Sequence, residues 1–447
     1  MKNLFPFLMG ILLICYGCSK DESQQPNPNP TEGEEPTNEE PQEQEPEMIT
    51  YFAFEALVNT GETDDWIIIH DDKGSLLDFK PFEFGDTLEF QALEDEIQPN
   101  NFTVTLFKFK NSVDGEMMHN IESYPNIAAE SHWQYTSEPS ATNDLPRDSS
   151  TGSFNITVEN VVSPKYRWIS DRQGILVATS GPDLPGFIDN YTHENIPIYD
   201  SPDFFFTIYD SSNDLKYYSM ENINDGDDIT VDYSDFKSFD SYLEIVMPES
   251  PSTYQLSSIS AFFDEGQSID LSGGKFTSYF FAETETPKPL KLGYLDSFSK
   301  YLSIISFNSD DFLYAYSKFG DKPDEIVIPE NKAINVVNES VYNYEFESNV
   351  DFQMKDVLWE IKEGERYVDL IQTSWNVFSA PGFSGTIGEI PEEIQSSYPN
   401  LRIDDLILTS TTLHLDFITY PDLLQVEFID PELKTYYKSH EYFRFKH

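Results

Sequence analysis

The chain of 447 residues carries 80 acidic against 27 basic side chains, a formal charge of −53. Such a field repels phosphate, which excludes nucleic acid as a partner and argues against adsorption of the folded body to anionic lipid. With Cys15 and Cys18 as its only two cysteines, both in the N-terminal segment, the body has to be held by apolar burial rather than by disulfides.

Lys2 and the terminal amine form a short positive region, and Leu4 to Ile14 follow as an apolar run of 11 residues interrupted only by Pro6 and Gly10. A bilayer-crossing helix needs roughly 20 apolar residues; this run has the length of an export signal. Gly17 directly before Cys18 resembles the lipobox of bacterial lipoproteins, in the loose form familiar from the Bacteroidota, with Cys15 where Leu is usual and Tyr16 where a small residue is usual. The resemblance implies a signal peptide over 1–17 cleaved after Gly17, diacylglycerol on the Cys18 thiol, and an anchor in the outer membrane. Ser19-Lys20-Asp21-Glu22-Ser23 resembles the short acidic run that sends such lipoproteins to the outer face. The mature chain then keeps no free thiol, and the Cys-x-x-Cys spacing of Cys15 and Cys18 carries no redox or metal meaning.

Residues 18–47 read as a lipidated cysteine and a disordered tether. Ser19 to Glu47 holds 10 acids, 6 prolines and no aliphatic or aromatic side chain, so nothing offsets the entropy of ordering. Proline and like charge stiffen such a segment, and it reaches at most about 90 Å.

The 400 residues from Met48 carry −45, and the chain is poor in helix formers, with 12 alanines in all against 35 Phe and 26 Tyr. Aromatic and β-branched residues alternate with polar ones in short runs: Phe102, Val104 and Leu106; Tyr342, Tyr344 and Phe346; Leu413, Leu415 and Phe417. Period two puts each set on one face of a strand. The fold class is therefore all-β, as tandem antiparallel β-sandwich domains, loosely immunoglobulin-like and without the Cys…Trp…Cys framework. WIIIHDDKGSLLDF (66–79) followed by GDTLEF, and FFFTIYDSSNDLKYY (204–218) followed by GDDITV, read as the same hairpin repeated. SPKYRWIS (163–170) pairs in the same way with FSKYLSIIS (298–306). These anchors predict one sandwich over 48–200, a second over 201–333 and a C-terminal β domain over 334–447.

Motifs for chemistry are sparse. The seven histidines are scattered without HExxH or HxH spacing, and no G-x-S-x-G or phosphate-binding glycine loop occurs. Glycosidases need only two carboxylates, which 80 acids neither single out nor rule out. Asp71-Asp72 and Asp225, Asp227 and Asp228 are oxygen ligands of the type calcium takes, but turns use the same residues for their own hydrogen bonds. No cofactor or metal is expected. Trp133 in SHWQY and Trp375 in QTSWNVF have polar neighbours, which makes them the candidates for an exposed sugar-stacking platform. The expected role is binding rather than catalysis: a lipid-anchored protein facing the cell exterior, with a glycan, matrix or protein ligand. The second reading is a glycan-binding accessory lipoprotein of a polysaccharide-uptake system; the third is a surface glycosidase or peptidase.

Overall fold

The computed structural model describes residues 48–57, 65–93, 101–111, 115–136, 150–161, 166–171, 176–180, 190–199, 201–210, 214–246, 248, 254–262, 275–282, 290–416, 418–430 and 439–447. Cys18, Gly17, the acidic run and the tether lie outside them. Residues 46–447 form one compact unit that contains every described element.

The chain is all-β and built of sandwiches. In the first, β1 (Met48–Ala56) is joined antiparallel by β4 (Thr87–Leu93) and parallel by β7 (Ser131–Tyr135). The facing layer runs in the order β3 (Leu76–Phe82), β2 (Asp65–His70), β5 (Asn101–Asn111), β6 (Met117–Ala128). Phe52, Phe54, Phe90 and Trp133 from one layer meet Ile67, Ile69, Val104 and Leu106 from the other. Each contributes roughly 1.5–3 kcal/mol by leaving water.

The same wiring recurs twice. In the second sandwich β8 (Gly152–Glu159) takes β11 (Asn190–Ile198) antiparallel and β14 (Asp228–Asp232) parallel. Its other layer is β10 (Leu176–Ser180), β9 (Tyr166–Asp171), β12 (Phe204–Tyr209) and β13 (Leu215–Met220), with the short β15 (Lys237–Ser238) at the edge. In the third, β16 (Ser241–Val246) takes β19 (Leu290–Tyr294) antiparallel and β22 (Ile326–Val327) parallel, opposite β18 (Lys275–Ala282), β17 (Tyr254–Phe262), β20 (Lys300–Asn308) and β21 (Phe312–Gly320). All three place fourth, first and seventh strands in one layer and third, second, fifth and sixth in the other. An immunoglobulin constant domain instead puts its first, second, fourth and fifth strands together, so the likeness to that fold stops at the sandwich.

This wiring corrects the expected limits 48–200 and 201–333. The break at 200/201 falls between β11 and β12, which belong to the two layers of a single sandwich. Hairpin 66–79 holds the second and third strands of one sandwich, whereas 204–218 holds the fifth and sixth of the next; likewise β9 is a second strand and β20 a fifth. The repetition is real in strand order, but the sequence anchors pair strands half a unit out of step. Second and fifth strands are adjacent in the middle of the same layer, and β2 and β12 share one burial pattern residue for residue. Sequence similarity followed that common environment.

The C-terminal segment contains β23 (Ile334–Asn338), β24 (Glu345–Ser348), β25 (Met354–Glu363), β26 (Ile371–Ser379), helix α1 (Glu392–Ser397), β27 (Ile407–Asp416), helix α2 (Tyr420–Leu424) and β28 (His440–Lys446). Its sheet, β26-β25-β27-β28, repeats the four-strand layer, and both its edges are taken. β28 pairs with β21 of the third sandwich and β26 runs parallel to β6 of the first. The result is one twelve-stranded sheet. Residues 102–106 and 413–415 lie in β5 and β27 as their alternation indicates, with Phe417 outside the described residues. Tyr342, in contrast, sits in a 3-10 turn capped by Ser340, and the strand starts only at Glu345.

Candidate functional site

Both tryptophans singled out for a platform are core residues. Trp133 is 2% exposed and stacked on Phe428, with centroids 3.9 Å apart and planes 3° from parallel. Its polar neighbours His132 and Gln134 point outward by strand alternation, which sends the indole in. Trp375 is fully buried, donates Nε1–H to Ser123 Oγ at 2.9 Å and meets Tyr342 edge-on. Neither offers a face to a sugar. The turn aspartates are engaged locally: Asp71 Oδ1 accepts from Lys73 N and Ser75 N, Asp225 Oδ1 from Ser153 N, and Asp227 Oδ2 from Asn224 N. Among the described residues no group of three or more His, Cys, Asp or Glu converges as a metal site.

The structure draws attention elsewhere, to the strap Ala380–Pro391 between β26 and α1. Ile387 and Ile390 anchor it in a core with Trp359 and Trp375, and Ile387 N donates to Tyr342 O at 3.0 Å. Gly388 lies directly on the His70 imidazole, where a Cβ would stand 2.1 Å from Cδ2. The ring donates Nε2–H to Glu389 O at 2.9 Å, and its burial lowers the pKa. Between the strap and the β23–β24 hairpin opens a cleft of about 570 Å³. Two further depressions, of about 260 and 530 Å³, adjoin the same strap near Asp72 and His70.

One wall of the larger cleft is a row of three half-buried rings. Tyr344 and Phe346 stack at 5.5 Å and 27°, and Phe346 and Phe352 lie 6.1 Å apart at 32°. Tyr344 shares a 2.6 Å hydrogen bond with Thr411 Oγ1, which fixes its ring; burial, then the Glu339 charge, push its phenol up to about 12. Amides and hydroxyls of Asn338, Asn343, Ser348 and Ser384 rim the opening, and Glu345 is the one carboxylate among the described lining residues. Phe383 of the strap faces the row.

At the back of the cleft stands Lys355, 6% exposed. Its Nζ donates to Phe383 O at 3.2 Å and lies 5.2 Å from the Phe346 ring centroid. Desolvation lowers its pKa to about 8, and among the described residues no carboxylate comes within ion-pair distance. Directly across the strand pair is Ser379, fully buried, with an Oγ that has no hydrogen-bond partner. Both side chains line a small inner cavity of about 20 Å³. Buried polar groups are nearly always satisfied, so this pair is unusual. The arrangement offers a stacking surface, hydrogen-bonding edges and one desolvated cation. Sequence reasoning missed both Lys355 and the row. The usable signal was the period-two series Lys355, Val357, Trp359, which places the lysine on the apolar face of β25.

No family model matches the chain, and no curated protein does. Among solved structures it is similar to Escherichia coli alpha-2-macroglobulin activated by porcine elastase, at 8% identity over 73% of this chain and 41% of that one, with a TM-score of 0.14. It is also similar to a mutant Salmonella alpha-2-macroglobulin, at 6% identity over 90% and 36% of the two chains, with a TM-score of 0.11. The chain spans well under half the length of either, and at these scores the likeness carries no argument.

Proposed function

We propose that the protein is a lipid-anchored binding protein displayed on the outer face of the outer membrane, and that its ligand is a glycan held in the cleft beside the 380–391 strap. The aromatic row Tyr344, Phe346 and Phe352 carries this reading. Large rings are strongly favoured inside, and three in file along an open cleft make the apolar surface that sugar C–H faces stack on, with amides beside them for the hydroxyls. The anchor rests on the lipobox resemblance at Gly17 and Cys18 and on the acidic tether, which together hold the body away from the membrane. A role as accessory lipoprotein in polysaccharide uptake is the form this takes if the gene lies beside an outer-membrane transporter.

Residues 46–447 are a compact unit, so the soluble 48–447 body serves on a glycan array. A retained glycan is expected, and Phe346→Ala is expected to abolish its retention with only a small shift of the unfolding midpoint. A blank array, or a mutant that binds as the parent does, sinks the glycan reading in favour of a protein ligand. Cys18→Ala in the full chain should eliminate acyl incorporation and release the protein from the membrane fraction. Retention of that mutant at high salt contradicts the anchor.

A further inference from the structure

Lys355 is costly where it stands. A lysine withdrawn from water with no counter-charge destabilises the fold, and one backbone carbonyl satisfies only one of its three donors. Anchoring the strap is not sufficient reason for a cation, because the N–H of an uncharged side chain bonds a carbonyl as well. Position supplies a better one. Nζ lies against the middle ring of the aromatic row, 5.2 Å from the Phe346 centroid, with the unpartnered Ser379 hydroxyl beside it on the same sheet face. A pyranose ring resting on Phe346 would bring a carboxylate at its C6 within reach of the ammonium.

The charge of the body narrows the ligand further. Residues 48–447 carry −45, which repels polyanions at long range. Glu345 stands in the lining and Glu347 is exposed on the same strand, β24. A single carboxylate matched to a single buried cation is compatible with that field, whereas a chain with an acid on every sugar is not.

We propose that the cleft recognises a uronic-acid residue within an otherwise neutral glycan, with Lys355 as the carboxylate-binding group and the Tyr344–Phe346–Phe352 row as the seat of the sugar rings. This rests on the glycan reading above and specifies its ligand. Nothing is transferred or cleaved: the carboxylate accepts hydrogen bonds from Nζ, and the pairing restores to the ammonium what burial removed.

The experiment titrates the 48–447 body with two matched oligosaccharides, one ending in glucuronate and one ending in glucose, alongside Lys355→Met and Lys355→Arg. Wild type is expected to prefer the glucuronate probe by about 10- to 100-fold, the range for a hydrogen bond to a charged group. Lys355→Met should erase that preference without weakening the neutral probe, a pattern that a merely structural lysine does not produce. Lys355→Arg should retain part of it. A second readout needs no mutant. Acylation by an N-hydroxysuccinimide ester near pH 8, followed by peptide mass spectrometry, should find Lys355 shielded by the glucuronate probe and not by the glucose one. If both probes bind alike and neither shields Lys355, the uronate proposal fails while the glycan reading stands. If no glycan is retained, or a peptide carboxylate alone takes the cleft, both fail.

Discussion

Trp375→Ala should lower the stability of the body by about 3–5 kcal/mol, the range for emptying a large aromatic from a close-packed core. The indole lies where β26 runs parallel to β6, opposite Ile121, so the cavity opens at the joint between the first sandwich and the C-terminal segment. Its lost N–H bond matters less, since Ser123 Oγ keeps a 2.8 Å contact with Thr105 Oγ1. Trp375→Phe, which refills most of the volume, should recover much of the loss. Chemical denaturation followed by intrinsic fluorescence measures it. A shift below about 1 kcal/mol, the usual size for exposed sites, would mean the indole is not packed as the structure has it.

Lys355→Met should act in the opposite direction and make the protein more stable. The lysine's pKa falls from its ordinary 10.5 to about 8 because burial penalises the charged form. At 1.36 kcal/mol per unit, its ionised state costs the fold roughly 3 kcal/mol at neutral pH. Losing the bond to Phe383 O returns about 1, leaving a net gain of about 2. The advantage fades with pH and is gone near the lysine's ordinary pKa of 10.5, above which only the lost bond remains and the sign reverses. Between pH 8 and 10.5 the unfolded chain holds the proton that the folded one has released, so wild-type stability climbs through that window. The titratable groups beside Lys355 are Tyr344 and Glu345, both on the hairpin side; the strap and Ser379 bring none. These groups are common to both proteins, so the mutant's advantage should shrink steadily from pH 8 to 10. An advantage that stays constant would show that the lysine is not desolvated. A stabilised mutant that has lost acidic-sugar preference would identify Lys355 as a residue kept at the expense of the fold.

What the sequence disclosed followed how local each interaction is. Strand character was legible because alternation is written in consecutive residues, as in Phe102, Val104 and Leu106, all buried in β5. The sandwich count was half legible. Second and fifth strands bury the same positions, so their sequences resemble each other more than their places in the fold warrant, and the offset between repeats came out wrong. The burial of Trp133 and Trp375 was not legible, because it depends on partners far along the chain: Phe428 for one, Ser123 and Tyr342 for the other. Polar flanks report the alternating face of the strand and say nothing of what covers the opposite one. The cleft lay hidden for a related reason. Tyr344 and Phe346 alternate as an apolar face, yet the glycine-bearing strap that turns that face into a wall sits 35 residues further on.

The order of units along the sheet has a consequence for biogenesis. A chain that emerges N-terminus first presents β6 early and β21 later, each with a bare row of amides and carbonyls on one side. Their partners, β26 and β28, come later in the chain than the sandwiches they join. Until β28 slots between β27 and β21, two open edges await pairing, and open edges are where chains stick to one another. Folding therefore has an intrinsic proofreading step: a chain without β28 leaves the great sheet split in two, with exposed strands at β21 and β27 that a finished molecule does not show.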